Sequence, residues 1–315
     1  MSKEKLELKD LLDGQIIEPE EDRIDYVAII GAGVMGQGIA QTISAAGIDV
    51  LIIETDDVHL QNAQKSIKES MKREIAHWGM TDSEMKAVLS RITWSTDIDE
   101  VKECDLIIES VNEDFELKTK IFRQIDEIAE PDTILISNTS TLSLTEIAET
   151  TKRPDKIIGV HFLNPVPTVP LVELVRALST SNETMEVVKK FAASINKTPI
   201  EVYEYPGFVT TRSIVVLLNE AFYILLEGIA SADHIDTAMK LGYNFPIGPL
   251  EMADSMGLDE VLTWMQQLWR TLGEPRYRPC PLLRKMVREK KLGRKTGEGF
   301  FIYDKDGNKS NKECC

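Results

Sequence analysis

His161 and Glu173 are the residues whose types best fit acid–base chemistry, and both lie in the stretch HFLNPVPTVPLVELV. An imidazole takes up or releases a proton near neutral pH, and a carboxylate on its second ring nitrogen would fix the tautomer and stabilise the imidazolium. Such a pair suits an enzyme that removes the hydroxyl proton of an alcohol while hydride leaves the same carbon. The alternative interpretation is a core histidine near a solvated strand carboxylate, so the rest of the chain has to decide.

Glu173 needs a partner, because it lies inside the apolar run Leu171–Val175, where an unpaired charge would be costly. His161 is a candidate for that partner. The remaining histidines lie in helical patterns without comparable neighbours and are expected at the surface: His59, His77 and His234.

A glycine-rich turn in YVAIIGAGVMGQGIA predicts a dinucleotide site. Gly31, Gly33 and Gly36 form the pattern G-x-G-x-x-G between an apolar strand and a helix, which is the context that this motif requires. The first glycine permits the tight turn, the second lets the backbone approach a pyrophosphate, and the third allows close helix–strand packing. The free N–H groups at the helix start would face the phosphates, so we expect the whole turn, including Val34 and Met35, to bind the cofactor.

Glu54 ends the next apolar strand, at about the distance of twenty residues that this motif leads one to expect. A carboxylate at this place accepts hydrogen bonds from the adenosine ribose hydroxyls and repels a 2′-phosphate. The predicted cofactor is therefore NAD rather than NADP. A glycine-rich turn without a ligand is the alternative, and the strand–turn–helix context argues against it.

Polar side chains end three of the predicted strands. The clusters are Glu109, Ser110, Asn112 and Glu113; Ser137, Asn138, Thr139 and Ser140; and His161 with Asn164. In a doubly wound sheet, ligands bind outside the carboxyl ends of the strands, where the nicotinamide is also expected. Each cluster alone would mean little, and SNTSTLSLTEI also fits an N-cap before a helix at Leu144–Thr150. Their coincidence at one edge of the sheet favours a catalytic site.

Apolar strand-like runs alternate with helical patterns through the first part of the chain. This order predicts an α/β fold with a Rossmann-like doubly wound sheet that is buried on both faces. The predicted strands are Tyr26–Ile30, Val50–Glu54, Leu106–Glu109, Thr133–Ser137, Ile157–Phe162, Leu171–Val175 and Ile200–Tyr203. The predicted helices are Gly36–Ala46, Asp57–His77, Ser83–Ser90, Glu116–Ala129 and Glu183–Ile195. The connection LNPVPTVP is too short for a crossover helix, so the strands on either side of it are expected to be antiparallel neighbours.

The pattern changes after YPGF, at residues 205–208, and no convincing strand follows. The stretch VTTRSIVVLLNEAFYILLEGIA is apolar on nearly all sides, which predicts a helix buried in its domain or at a subunit interface. Further helices are predicted at Asp233–Leu241, Pro249–Leu272 and Pro281–Lys291. The predicted division is an extension at 1–24, an NAD-binding domain at 25–205, an all-helical C-terminal domain at 206–303 and a tail at 304–315.

The composition excludes several classes of function. A net charge of -16 argues against binding nucleic acid or an anionic membrane surface, since both attract basic patches. The cysteines have neither disulfide-framework nor metal-site spacing, which favours a reduced, cytoplasmic setting without a metal: Cys104, Cys280, Cys314 and Cys315. The charged start of the chain, with one short helical pattern at Leu6–Leu12, lacks the apolar region of a leader peptide, and no membrane span is expected.

Several motifs together resemble the L-3-hydroxyacyl-CoA dehydrogenase family, and most closely its bacterial 3-hydroxybutyryl-CoA dehydrogenase group. They are GAGVMGQGIAQ, SNTSTLSLTEIA, HFLNPVPTVPLVELV, YPGFVTTR, AMKLGYNFPIGPLEMAD, RYRPCPLLRKM and GRKTGEGFF, between Asp25 and Tyr303. The resemblance implies NAD-dependent interconversion of an (S)-3-hydroxyacyl-CoA, chiefly 3-hydroxybutyryl-CoA, and the 3-oxoacyl-CoA. It also implies a homodimer formed through the helical C-terminal domain.

The resemblance assigns roles to individual residues. His161 corresponds to the base, Glu173 to its orienting carboxylate, and Ser140 to the hydroxyl that contacts the substrate's 3-oxygen. Further cofactor contacts are implied at Glu113, Lys118, Asn164 and Lys295. Ser70, on the helix after Glu54, matches a position near the CoA moiety.

Two residues depart from the family pattern. Thr211 stands where the family usually has asparagine as a fourth active-site residue, and threonine is shorter and offers one donor instead of two. Glu54 stands where aspartate is frequent, which adds one methylene and leaves the preference for NAD. Thr211 keeps open another 3-hydroxy substrate, such as a dicarboxylyl-CoA or a free sugar acid. A weakly catalytic NAD-binding structural protein is the other alternative, and Ser140, His161 and Glu173 argue against it.

Overall fold

The computed structural model describes residues 24–76, 79–304 and 307–310. The short helix expected at Leu6–Leu12, His77 and the terminal pair Cys314 and Cys315 lie outside these residues. An eight-stranded sheet flanked by helices is followed by a helical part, so the fold class predicted from the sequence is confirmed. None of the described helices is long and apolar enough to cross a membrane.

The sheet is parallel except at one pair of strands. The strands are β1 (Tyr26–Ile30), β2 (Asp49–Ile53), β3 (Ile92–Ser95), β4 (Leu106–Glu109), β5 (Ile134–Ser137), β6 (Ile157–Phe162), β7 (Leu171–Arg176) and β8 (Thr198–Tyr203). Their order across the sheet is β3-β2-β1-β4-β5-β6-β7-β8. The exception is the pair β6 and β7, which is antiparallel as the short connection between them predicts, and its register sets His161 directly opposite Glu173.

Among the described residues, six α-helices belong to the sheet part of the chain and five follow it. The first six are α1 (Val34–Ala45), α2 (Asp57–Ala76), α3 (Asp82–Ser90), α4 (Phe115–Ile128), α5 (Leu144–Ala148) and α6 (Asn182–Ser194). The helical part contains α7 (Thr210–Leu226), α8 (Ala232–Tyr243), α9 (Pro249–Met256), α10 (Leu258–Leu272) and α11 (Pro281–Arg288). Side chains cap the starts of several of them: Thr81, Asp114, Ser143, Ser181 and Ser231. Two helices that matter for the site, α1 and α7, begin without a cap from their own N-cap side chain.

The sheet is buried on both faces, which explains why its central strands are continuous apolar runs. In β1, Val27 and Ile29 pack into the core on one face, whereas Ala28 and Ile30 pack into the core on the other. Most polar groups of the central strands lie at the strand ends because both faces are apolar, and Glu173 inside β7 is an exception. The carboxyl edge of the sheet is therefore where chemistry can take place.

Two features of the fold differ from the prediction. The sequence pattern does not indicate β3, because this four-residue edge strand, ITWS, mixes polar with apolar residues. The helix predicted at Pro249–Leu272 is two helices, since Gly257 adopts a φ of 99° that ends α9 and that few other residues tolerate. Within the segment 304–315, Lys309 forms a β-bridge with Tyr303 and its ammonium donates to Asp233.

The helices α7 to α11 pack around a core of their own. Val215, Leu218 and Phe222 of α7 lie in this core together with Leu250 and Met265. The apolar character of α7 therefore reflects burial within the helical part for these residues. The same helix begins directly beside the sheet, and this junction forms part of the site.

Candidate active site

His161 and Glu173 form a buried pair near the carboxyl end of β6. Nδ1 of His161 lies 2.7 Å from Oε2 of Glu173, and the two side chains are 10% and 0% exposed. The Phe208 ring lies 5.6 Å from the imidazole and covers part of it. Because Nδ1 is bonded to the carboxylate, Nε2 is the ring nitrogen that can take a proton from a substrate hydroxyl.

Glu173 receives hydrogen bonds on both carboxylate oxygens. In addition to His161, the Thr210 hydroxyl donates to Oε2 at 2.7 Å, and the backbone N–H groups of Val209 and Thr210 each donate to Oε1 at 3.0 Å. Burial alone would raise the pKa of Glu173, but the hydrogen bonds from His161 and Thr210 outweigh it and lower the pKa below 4.5. Glu173 therefore stays ionised at neutral pH, and it caps α7 in place of the missing N-cap side chain.

Glu113 holds the loop that carries Ser140. Its Oε1 accepts hydrogen bonds from the Thr139 hydroxyl at 2.6 Å, the Ser140 N–H at 3.0 Å, the Thr141 N–H at 3.0 Å and the Thr141 hydroxyl at 2.9 Å. Burial raises the pKa of Glu113, whereas the charge of Lys118 and these hydrogen bonds lower it, with a net decrease below 4.5. The loop is thus fixed through its backbone, and the Ser140 hydroxyl is not used in these bonds.

Lys118 lies behind this loop rather than at the open edge of the sheet. Its side chain is 1% exposed, and Nζ lies 2.6 Å from Oε1 of Glu109 and 3.4 Å from Oε2 of Glu113. The Ser137 hydroxyl donates to the other oxygen of Glu109 at 2.7 Å. The ammonium therefore forms ion pairs with two carboxylates, one at the end of β4 and one in the loop that follows it. These pairs join this corner of the site into one network.

Asn138 and Thr210 are two further polar residues of the site, and the sequence indicates only the first of them. Oδ1 of Asn138 accepts a hydrogen bond from the N–H of Phe162 at 3.2 Å, which ties the end of β5 to the residue after His161. Asn138 belongs to one of the polar strand ends that the sequence predicts. For Thr210 there is no such signal, because only the packing of α7 against the sheet brings its hydroxyl to Glu173.

The glycine turn has the geometry that a dinucleotide needs. Gly31 has a φ of 96°, and a Cβ on Gly36 would lie 2.0 Å from the carbonyl oxygen of Gly31. A Cβ on Gly33, by contrast, would meet nothing within 4 Å. Gly33 is the N-cap of α1, and the first turn of this helix contains no acidic residue. The open space and the free N–H groups fit the pyrophosphate of NAD.

Glu54 lies at the base of this turn. Its Oε1 accepts a hydrogen bond from the N–H of Ala32 at 2.7 Å, and Oε2 accepts one from the N–H of Thr55 at 3.0 Å. Val34 is 73% exposed, whereas Met35 packs against the core of the sheet. The Glu54 carboxylate is thus in contact with the glycine turn.

The other predicted site residues lie in three separate places. Thr211 is buried in the first turn of α7, next to the residues that bind Glu173. Asn164 is exposed in the connection between β6 and β7, and Ser70 is half-buried on α2. Lys295 is paired with Asp259 in the helical part. Thr211 is thus adjacent in sequence to Thr210, which binds Glu173. Among the described residues, Asn164, Ser70 and Lys295 make no direct side-chain contact with the His161–Glu173 pair.

A cavity of about 220 Å³ adjoins the Ser140 loop. It is bounded by the sheet part, the YPGF segment and the end of α10, at Ser140, Thr141, Leu142, Ser143, Glu204, Tyr205, Pro206, Phe208 and Thr271. A larger cavity of about 550 Å³ lies near Asp105, Thr133 and Lys156, at the amino ends of the strands. It lies at the opposite edge of the sheet from His161, so the smaller cavity is the one beside the chemistry.

Comparison with known proteins agrees with this geometry. The family model described as 3-hydroxyacyl-CoA dehydrogenase, NAD binding domain, matches residues 26–205, and that of the C-terminal domain matches residues 207–303. The chain is 44% identical over 281 residues to the probable 3-hydroxybutyryl-CoA dehydrogenase of Bacillus subtilis, across 89% of this chain and 98% of that protein. It is 38% identical over 288 residues to the human mitochondrial hydroxyacyl-coenzyme A dehydrogenase, across 89% and 91%. The crystal structure of (S)-3-hydroxybutyryl-CoA dehydrogenase from Ralstonia eutropha aligns with a TM-score of 0.82 at 43% identity, covering 90% of this chain and 100% of that one.

Two substitutions in the glycine turn should have different effects, one on cofactor binding and the other on the stability of the fold. Gly33→Ala should leave the melting temperature unchanged and weaken NADH binding about tenfold or more, because the new methyl group enters only the space reserved for the pyrophosphate. Gly36→Ala should destabilise the fold by about 2 kcal/mol, because its methyl group meets backbone. Fluorescence titration with NADH and thermal unfolding measure the two effects.

Gly242→Ala is the matched control, since a Cβ there also meets nothing within 4 Å and the residue lies in α8. It should bind NADH as the wild type does. Wild-type NADH affinity in Gly33→Ala would contradict the assignment of the turn as the cofactor cradle.

Proposed function

The chain belongs to the 3-hydroxyacyl-CoA dehydrogenase family and is an NAD-dependent oxidoreductase, and we propose that it interconverts (S)-3-hydroxybutyryl-CoA and acetoacetyl-CoA. The observation that carries the proposal is the buried His161–Glu173 pair, with its 2.7 Å bond beside the carboxyl edge of the sheet. The names of the similar bacterial proteins support this acyl-CoA as substrate.

In the proposed mechanism, His161 Nε2 takes the proton of the 3-hydroxyl group as hydride leaves the same carbon. Glu173, held ionised by its hydrogen bonds, stabilises the imidazolium that forms and keeps the ring in one tautomer. The Ser140 hydroxyl donates to the 3-oxygen and positions it. When bound in the cradle of Gly31, Gly33 and Gly36, NAD supplies the hydride-accepting ring. In the reverse direction, the His161 imidazolium returns the proton to the 3-oxo group.

The contacts of Glu113 and Lys118 support a positioning role in addition to the cofactor contact that the family resemblance implies. Both side chains bond to the Ser140 loop or to the strand end beneath it. Asn164 and Lys295 remain candidates for cofactor contacts, and Ser70 for a contact with the CoA moiety. None of them carries the proposal.

Exposed apolar side chains on the helical part support a homodimer formed through it. Four such side chains are 46% to 79% exposed: Leu226, Ile229, Leu241 and Tyr243. Burial of such side chains against a second copy of the chain would remove apolar area from water, which is favourable. We infer a cytoplasmic homodimer that uses a small acyl-CoA substrate and binds neither nucleic acid nor membrane, consistent with the net charge of -16.

The decisive assay follows NADH oxidation with acetoacetyl-CoA between about pH 5 and pH 8, where a histidine acid is active. The wild type should turn over, and His161→Ala should lower kcat about a hundredfold or more while NADH still binds, since general acid–base catalysis is lost. His59→Ala removes an exposed histidine bonded to Asp56 and is the control. Absence of turnover by the wild type, or an unimpaired kcat in His161→Ala, would overturn the proposal.

Thr211 favours a second candidate within the same reaction class, a different 3-hydroxy substrate. Thr211→Asn should raise kcat/KM for 3-hydroxybutyryl-CoA about threefold to tenfold, which is what one added hydrogen bond contributes. Thr211→Val, which has nearly the same shape and no hydroxyl, should lower it. Both variants are compared with wild type on short, long, dicarboxylic and CoA-free substrates. A wild-type preference for a dicarboxylyl-CoA or a sugar acid would establish the second candidate instead.

A further inference from the structure

The Thr210 hydroxyl shares one carboxylate oxygen with the imidazole of His161. Oγ1 of Thr210 and Nδ1 of His161 both lie 2.7 Å from Oε2 of Glu173. The carboxylate is completely buried. A carboxylate has about four sites for donors, and the two on Oε1 are taken by the N–H groups of Val209 and Thr210. With the Thr210 hydroxyl, all of the about four acceptor sites of the Glu173 carboxylate are occupied by hydrogen-bond donors.

The donors of this set come from two different parts of the fold. His161 and Glu173 lie on neighbouring strands of the sheet, whereas Thr210 is the first residue of α7, which packs into the helical part. The bond from Thr210 thus connects the position of α7 to the orientation of the carboxylate. A shift of α7 would alter the oxygen to which His161 is bonded.

We propose that Thr210 is a positioning residue for the His161–Glu173 pair, and that its hydroxyl limits how strongly the carboxylate holds the imidazolium. The inference rests on the proposed role of His161 as the acid–base group. Two donors on one oxygen compete for its electron density, so the charge available to the ring is smaller than it would be with one donor. Removing the hydroxyl should therefore strengthen the hold of Glu173 on the protonated ring.

Glu173 is the charged group in hydrogen-bond contact with the imidazole of His161. The nearest ring neighbour of His161 is Phe208, which is uncharged. Arg212, in the first turn of α7, donates to the Tyr277 hydroxyl at 2.9 Å and lies over the Tyr205 ring, 4.8 Å from its centroid. Thr211 follows Thr210 in α7 and does not titrate. Glu173 is thus the ionisable group through which Thr210 acts.

A simple capping role makes a different prediction. Thr210→Val keeps both backbone N–H groups on Glu173 and nearly the same side-chain shape, so it removes only the hydroxyl bond. If Thr210 only stabilised the start of α7, its substitution would lower the stability of the protein without changing the protonation of His161. The positioning role requires that protonation to change.

The test measures the protonation of the His161 ring by NMR in the free enzyme, together with the pH dependence of kcat for reduction of acetoacetyl-CoA. In Thr210→Val, the titration midpoint of the ring should rise by about half a unit to one pH unit, the size expected for the loss of one hydrogen bond. Reduction needs the protonated ring, so activity is lost as pH rises through the midpoint, and this limb should move to higher pH by the same amount. His161→Gln identifies the ring signal.

Two variants serve as controls. Thr210→Ser keeps the hydroxyl and should retain the wild-type midpoint, and Ser213→Ala removes an exposed hydroxyl from the same helix and should also retain it. If Thr210→Val does not fold, Thr210→Ala replaces it, because alanine is well tolerated in the first turn of a helix.

An unchanged or lowered titration midpoint of His161 in a folded Thr210→Val or Thr210→Ala would overturn the inference. Thr210 would then only stabilise the start of α7. The NMR titration needs no substrate, so it separates this inference from the proposed function. A raised midpoint in an enzyme that does not reduce acetoacetyl-CoA would uphold the Thr210 contact and overturn only the substrate. A raised midpoint with a shifted kcat profile would support both.

Discussion

The buried carboxylate of Glu173 is the constraint on which the rest of the site depends. A charge with no exposure to water must be compensated in full, because an unpaired buried carboxylate is costly. Its donors are the imidazole on β6, the N-cap residue Val209 and the first residue of α7, Thr210. One group therefore orients the proposed base, keeps it in one tautomer, and fixes where the helical part meets the sheet. The antiparallel pairing of β6 and β7 makes this possible, because its register sets Glu173 directly opposite His161.

The same principle operates at the ends of β4 and β5. Glu109 and Glu113 are satisfied by Lys118 and by donors of the loop that carries Ser140. Each carboxylate at the edge of the sheet thus holds a neighbouring loop or side chain in place. The glycine turn has a different role from these carboxylates, because the N–H groups at the start of α1 and the space beside Gly33 can accommodate a ligand. The site combines rigid protein groups on one side with an open anion-binding helix start on the other.

Much of this arrangement could be predicted from the sequence, because it follows from strong local signals. The glycine pattern fixes the cofactor turn, and the short connection before Leu171 fixes the antiparallel strand. The charge of Glu173 within an apolar run predicts a buried partner. Packing decides the remainder. The bond from Thr210 depends on how α7 meets the sheet, and the burial of Lys118 depends on two carboxylates converging beneath a loop. The edge strand β3 is short and partly polar, so its pattern carries no periodic signal.

The kcat and pH profile of Glu173→Gln test the central claim most directly. A glutamine carries an amide nitrogen that cannot accept the bonds now made to a carboxylate oxygen, and it has no charge to stabilise an imidazolium. We expect a folded protein that binds NADH as the wild type does, with kcat for acetoacetyl-CoA reduction lowered about a hundredfold or more and an altered pH profile. A kcat and pH profile equal to those of the wild type would contradict the claim that this carboxylate makes His161 an effective acid and base.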